Sequence, residues 1–164
     1  MAEWKDKEEI LPALLDRLTD DEPTNRNEGR MPRAQALRAL KVSLRRDLEW
    51  LLNSRRNIQE PEDWMKEVQY SLYQYGLPDL SSYSLGTSKD QGMLSALLEE
   101  AVAKFEPRLS NVIVNLVPVA GNNRVVKFQI EGVLLIDTGP ERIQFDTTLE
   151  LTSGSYTIDG GAGA

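Results

Sequence analysis

At 164 residues, with 40% hydrophobic and 27% charged side chains, the chain has the size of a single core and is too apolar for a disordered polymer. Cysteine and histidine are both absent, which excludes disulfide frameworks, thiolate chemistry and the commonest general base and metal ligand. A net charge of -7 with no aromatic platform argues against nucleic acid, and the lack of any apolar run near ~18 residues argues against membrane insertion. A charged, signal-free start and the missing cysteines give a cytoplasmic expectation.

Leu11, Leu14, Leu15 and Leu18 recur at helical spacing, with Pro12 tolerable in a first turn, so the chain opens on a short amphipathic helix. The polar stretch TDDEPTNRNEGRMP follows as a linker, and residues 1–29 read as an arm whose leucines dock on the domain or on a partner. The remainder divides into one domain over 30–158 and a glycine-rich flexible tail over 159–164. From Ala34 to Asn53, Leu37, Leu40, Leu44, Leu48, Leu51 and Leu52 predict the first core helix. Arg38, Lys41 and Arg45 flank that stripe within a stretch, Arg30 to Arg46, that holds six basic residues and no acid. Their reading is either a solvated face or a surface for an acidic protein partner.

After NSRRNIQEPEDW breaks the pattern, a shorter helix is predicted over Pro61 to Tyr70, and YGLPDLSSYS forms a loop punctuated by Gly76 and Pro78. Ser88 and Gln91 fit a capping box for a helix carrying Leu94, Leu97, Leu98, Ala101 and Phe105 on one face, which Pro107 ends. The period then falls to two. Strands are predicted over Asn111 to Val117, Arg124 to Ile136 and Glu141 to Leu151, joined by the turns AGNN and DTGP, with a bulge at Gly132. The fold class is therefore α+β: an N-terminal amphipathic helix and two to three helices packed on one face of a three- to four-stranded antiparallel meander. Tyr156 to Ile158 is long enough to supply the fourth strand.

Four segments in this order, LLDRL, DLEWLLNSRR, YGLPDLSSYS and FEPRL at Phe105 to Leu109, resemble the TssE family of type VI secretion baseplates, within the phage baseplate wedge and sheath-initiator proteins. The likeness runs from about Leu11 to Leu151 and rests most on EPR standing at a helix end before a meander. It implies structural work: contact with the wedge proteins TssF and TssG, and a sheet offered to the sheath proteins TssB and TssC. It brings no cofactor, metal, small-molecule substrate or reaction.

Because relatives are often labelled lysozyme-like, a peptidoglycan hydrolase is the alternative, and a generic cytoplasmic adaptor the third reading. A glycosidase needs two carboxylates about 5 to 9.5 Å apart, one of them a general acid. Glu106 is the natural acid, but Arg108 two residues away favours its ionised form, and Glu99 and Glu100 are more simply a solvated face. No catalytic residue is assigned. Glu106, Pro107 and Arg108 read either as a helix end closed by a local ion pair, or as a fork that meets the wedge or clamps the sheet for it. With Arg38, Lys41 and Arg45 they form the expected wedge surface. The last predicted strand, with Ile143, Phe145, Thr147, Leu149 and Leu151 on one face, or else the opposite edge of the sheet, is the expected open edge for a sheath segment arriving by strand addition.

Overall fold

The computed structural model describes residues 10, 12–19, 31–79, 88–117, 125–136 and 139–160. In chain order these form α1 (Leu14–Leu18), α2 (Arg33–Asn53), α3 (Lys66–Gln69), a 3-10 turn (Leu72–Gln74), α4 (Ser88–Phe105), and the strands β1 (Leu109–Val117), β2 (Val125–Leu134), β3 (Glu141–Glu150) and β4 (Ser155–Gly160). The strands make one antiparallel sheet in the order β1-β2-β3-β4. This is the expected α+β meander with its fourth strand.

The core lies where two periodicities meet. Along β2, β3 and β4, Phe128, Ile130, Ile143, Phe145, Leu149, Tyr156 and Ile158 turn the same way and are buried. Against them pack Leu40, Leu44, Leu48, Leu51 and Leu52 of α2 and Leu94, Leu98 and Val102 of α4, so both long helices cover one face of the sheet. Each fully buried leucine or phenylalanine contributes about 1.5–3 kcal/mol of transfer free energy, which makes this interlock the main source of stability. The opposite face carries Lys127, Arg142, Asp146, Glu150 and Asp159, as expected of strands alternating between core and solvent.

Pro32 stands at the N-cap of α2 with φ -56° and ψ 141°, so the helix starts one residue earlier than the leucine period requires. At its other end, Leu77 N–H donates to Ser54 C=O at 2.9 Å and Arg56 N–H donates to Leu77 C=O at 3.0 Å. This short parallel bridge ties the LLNSRR and YGLPD segments together. Gly76 is required there: its φ is +104°, and a Cβ would lie 2.3 Å from Ser54 O.

The helix expected over Pro61 to Tyr70 shrinks to the four residues of α3, none of them buried. Trp64 and Tyr70 at its flanks are exposed, so no apolar stripe holds a longer helix against the core. The bulge expected at Gly132 lies across from it on β1, where the register slips between Ser110 and Ile113 and Asn111 adopts φ 52°, a left-handed geometry that asparagine tolerates. The tail boundary also moves, since β4 runs through Asp159 to Gly160. Residues 20–30 of the linker, the AGNN turn, Arg124, Asp137 and Thr138 of DTGP, LSSYS, the Ser88 side chain and Leu11 lie outside the described residues. No helix among the described residues is long and apolar enough to cross a membrane.

Candidate partner interface

Only three residues, Glu106, Pro107 and Arg108, connect α4 to β1. Pro107 forbids another helical turn, while Glu106 N–H still donates to Val102 C=O at 2.9 Å and its own C=O accepts from Leu109 N–H at 3.1 Å. This tight exit buries Glu106 to 5% exposure and leaves Pro107 at the surface. A buried carboxylate needs compensation, and the turn supplies it. Arg108 Nε donates to Glu106 Oε1 at 2.6 Å, Arg108 Nη2 donates to Oε2, and Arg108 N–H donates to Oε1 at 3.2 Å.

The same Nη2 donates to Asp47 Oδ2 at 2.6 Å, reaching across to α2. Asp47 in turn accepts from Arg46 through its other oxygen, and Arg46 Nη1 donates to Asp16 of α1 at 2.6 Å. One chain of charge-assisted bonds therefore runs from α1 through α2 to the α4–β1 turn. Hydrogen bonding to Glu106, then to Asp47, raises the pKa of Arg108 beyond its already high ordinary value. The bond from Arg46 holds the Asp16 carboxyl below its ordinary 3.8. Tyr75, edge-on to Phe105 at 5.3 Å, is pushed up by burial and further by the negative charges of Asp47 and Glu106.

Beside this knot opens a cleft of 520 Å³, walled by Pro12, Leu14 and Leu15 on one side and by Tyr75, Pro107 and Arg108 on the other. Leu14 and Leu18 are 70% and 76% exposed. The arm is thus anchored through Asp16 and through buried Ile10, while its leucine stripe faces outward.

The structure turns the Arg108 fork inward. Arg108 makes the local ion pair with Glu106 at the helix end and reaches on to Asp47 of α2, using Nε and Nη2. The basic trio does not form one free patch either. Arg38 is exposed, Lys41 Nζ donates to Glu141 of β3 at 2.6 Å, and Arg45 Nε is buried without a hydrogen-bond partner among the described residues.

A further correction concerns the open edge. β3 is an interior strand, paired with β2 on one side and β4 on the other, so Ile143, Phe145, Thr147 and Leu149 are buried beneath the helices and cannot receive a strand. Leu151 lies in the turn beyond β3. The reason is the short β4, which takes the ladder groups that β3 would otherwise expose. The sheet's outer strands are β1 and β4.

Sequence reasoning missed Asp47 and Asn53, and it read as a solvated face Glu99, whose Oε1 accepts from Val114 N–H. Asp47 leaves one faint trace, being the first acid after the basic stretch, but its partner stands 61 residues away and no spacing announces it. Asn53 and Glu99 serve backbone groups of distant strands, for which a sequence holds no local sign.

A family model described as baseplate wedge protein gp25 matches residues 38–138, more than half of the chain. That span includes Asp47, Glu106 and Arg108 and ends before β3. No curated protein matches the chain.

Proposed function

Because the chain belongs to the baseplate wedge protein gp25 family, we propose that it is the TssE-type baseplate subunit of a type VI secretion system, which links wedge proteins to a contractile sheath and starts sheath polymerisation. It works in the cytoplasm, on TssF and TssG at one side and on TssB and TssC at the other. Strand addition to an outer strand of the sheet carries the sheath contact.

The observation that supports this reading is the cleft at the α4–β1 turn. An exposed Leu14 and a half-exposed Leu15, held in place by the Asp16 to Arg46 ion pair, wall a groove whose floor is the rigid Glu106–Arg108 knot. Exposed leucines next to a fixed turn suit an apolar wedge segment, with Pro107 as a flanking contact. Within this reading Glu106 and Arg108 shape the surface rather than touch the partner through free charges. Hydrolysis fits the turn poorly, since both carboxylate oxygens of Glu106 accept from Arg108 and the acid is held by the fold.

Replacing Leu14 and Leu15 by glutamate tests the wedge contact. Neither is buried, so the fold should stand, while association with a TssF–TssG complex, followed by sedimentation velocity, should weaken about tenfold or more. Binding equal to that of the parent chain would remove the cleft from the wedge interface.

A further inference from the structure

An outer strand presents backbone N–H and C=O groups in pairs, on alternate residues, to whatever lies beside it. On β4 one such pair is already taken. Tyr156 N–H donates to Asn53 Oδ1 at 2.9 Å, and Asn53 Nδ2 donates to Tyr156 C=O at 2.9 Å. The carboxamide of Asn53, at the C-terminus of α2, thereby makes on β4 the same reciprocal pair of bonds that a peptide group of a neighbouring strand would make. Strand alternation puts Ile158 and Gly160 on the same outward side, and Thr157 and Asp159 toward β3.

The other outer strand is closed differently. α4 lies along β1, Glu99 Oε1 accepts from Val114 N–H at 2.8 Å, and the bulge at Asn111 breaks the ladder that an incoming strand would need to continue. A carboxylate only accepts, so Glu99 blocks a donor without imitating a strand. β4 has no bulge and keeps its register with β3 over all six residues. Of the two, β4 is the strand fit for extension.

We infer that Asn53 is a surrogate strand, which closes the outer edge of β4 in the free subunit and is exchanged for backbone amides when an extended segment of a sheath subunit pairs along Tyr156 to Gly160. This rests on the strand-addition reading above and adds the edge, the register and the group displaced. The exchange is nearly balanced in hydrogen bonds, because Asn53 Nδ2 keeps its second bond, to Glu49 C=O at 2.8 Å, when Tyr156 changes partner. Pairing is then seeded at the Asn53 position and extends over Ile158. The cross-strand pair Asp146 and Asp159 places like charges side by side on the solvent face of this edge, so a segment with a basic residue facing Asp159 is favoured.

Amide hydrogen exchange and sheath binding test this together, on the parent chain, on Asn53→Ala and on Asn53→Asp as a second variant that retains the acceptor for Tyr156 N–H. In the free chain, Asn53→Ala should speed exchange at Tyr156 about tenfold or more while Thr157, bonded to β3, stays protected. An unchanged Tyr156 rate overturns the surrogate strand. With purified TssB–TssC sheath subunits as the probe, both variants should associate about threefold faster or more than the parent, since no bond to Tyr156 C=O has to be released first. Unchanged association alongside a faster Tyr156 amide overturns the exchange alone. Failure of all three chains to bind the sheath subunits overturns strand addition, and the exchange with it.

Discussion

Two neighbouring residues of α2 anchor two different regions through ion pairs of the same length. Asp47 holds the α4–β1 turn through Arg108 at 2.6 Å, and Arg46 holds the arm through Asp16 at 2.6 Å. At the turn the bonded Glu106 side chain is 6% exposed, and Arg108 and Asp47 each have a second partner. At the arm both side chains are 32% exposed and the helix they restrain is five residues long with no buried side chain. Equal geometry therefore carries unequal weight. A buried charge is costly to strand, whereas a solvated pair adds little beyond the entropy it consumes.

The sharpest way to break the comparison is at its buried end. Arg108→Ala leaves Glu106 enclosed without a counter-charge and should lower unfolding free energy by about 3–5 kcal/mol, read from urea denaturation. A loss below about 1 kcal/mol would mean that the knot is no stronger than a surface pair. Asp47→Asn comes next. It keeps an acceptor for Arg108 but removes the charge, and a cost of about 1–3 kcal/mol is expected in the same assay, without loss of the cooperative transition.

The smallest effect belongs to the arm. Asp16→Asn should change global stability by about 0–1 kcal/mol. Its signature is a pH dependence that the variant lacks. The folded-state pKa of Asp16 is depressed, so its contribution is present above the ordinary 3.8 and is lost as pH falls below that value through the folded pKa. Protection of the Arg17 and Thr19 amides, which bond to Ala13 C=O and Leu15 C=O, should therefore fall on acidification in the parent chain when exchange is taken relative to the intrinsic rate at each pH. In Asp16→Asn that protection should already be low at neutral pH. A pH-independent protection in the parent would detach the arm's position from Asp16.

The same contrast explains what the sequence could reveal. The α2 stripe, the α4 stripe and the alternation of β2 and β3 are local periodicities, and each is found where the residues announce it. The Pro61 to Tyr70 segment has good local helix propensity but no core to meet, and only Lys66–Gln69 is helical. β4 was legible only as an alternative, since two inward side chains, Tyr156 and Ile158, give too short a pattern to distinguish a strand from a tail. With β4 undecided, β3 looked like an edge. At the site, the Glu106 to Arg108 pair lay within two residues and could be read directly, while Asp47 and the Asn53 bonds to Tyr156 depend on folding distant segments together. The helical spacing of Leu14 and Leu15 marks a docking stripe, and they line the cleft with their faces uncovered.

The meander has a consequence for the order of assembly of the chain itself. Every strand pairing joins neighbours in sequence, which keeps loop-closure costs low and lets hairpins form early. The closing contact is of another kind: Asn53 meets Tyr156 across 103 residues, and α2 packs on β4, made after β1, β2 and β3. During translation the leucine stripe of α2 emerges first and receives its final cover last. A ribosome-bound chain ending before Ser155 has Leu44, Leu48 and Leu52 made but β4 missing, so the apolar surface stays open for most of synthesis. Docking of the six-residue β4 is then the step that covers this part of the α2 stripe.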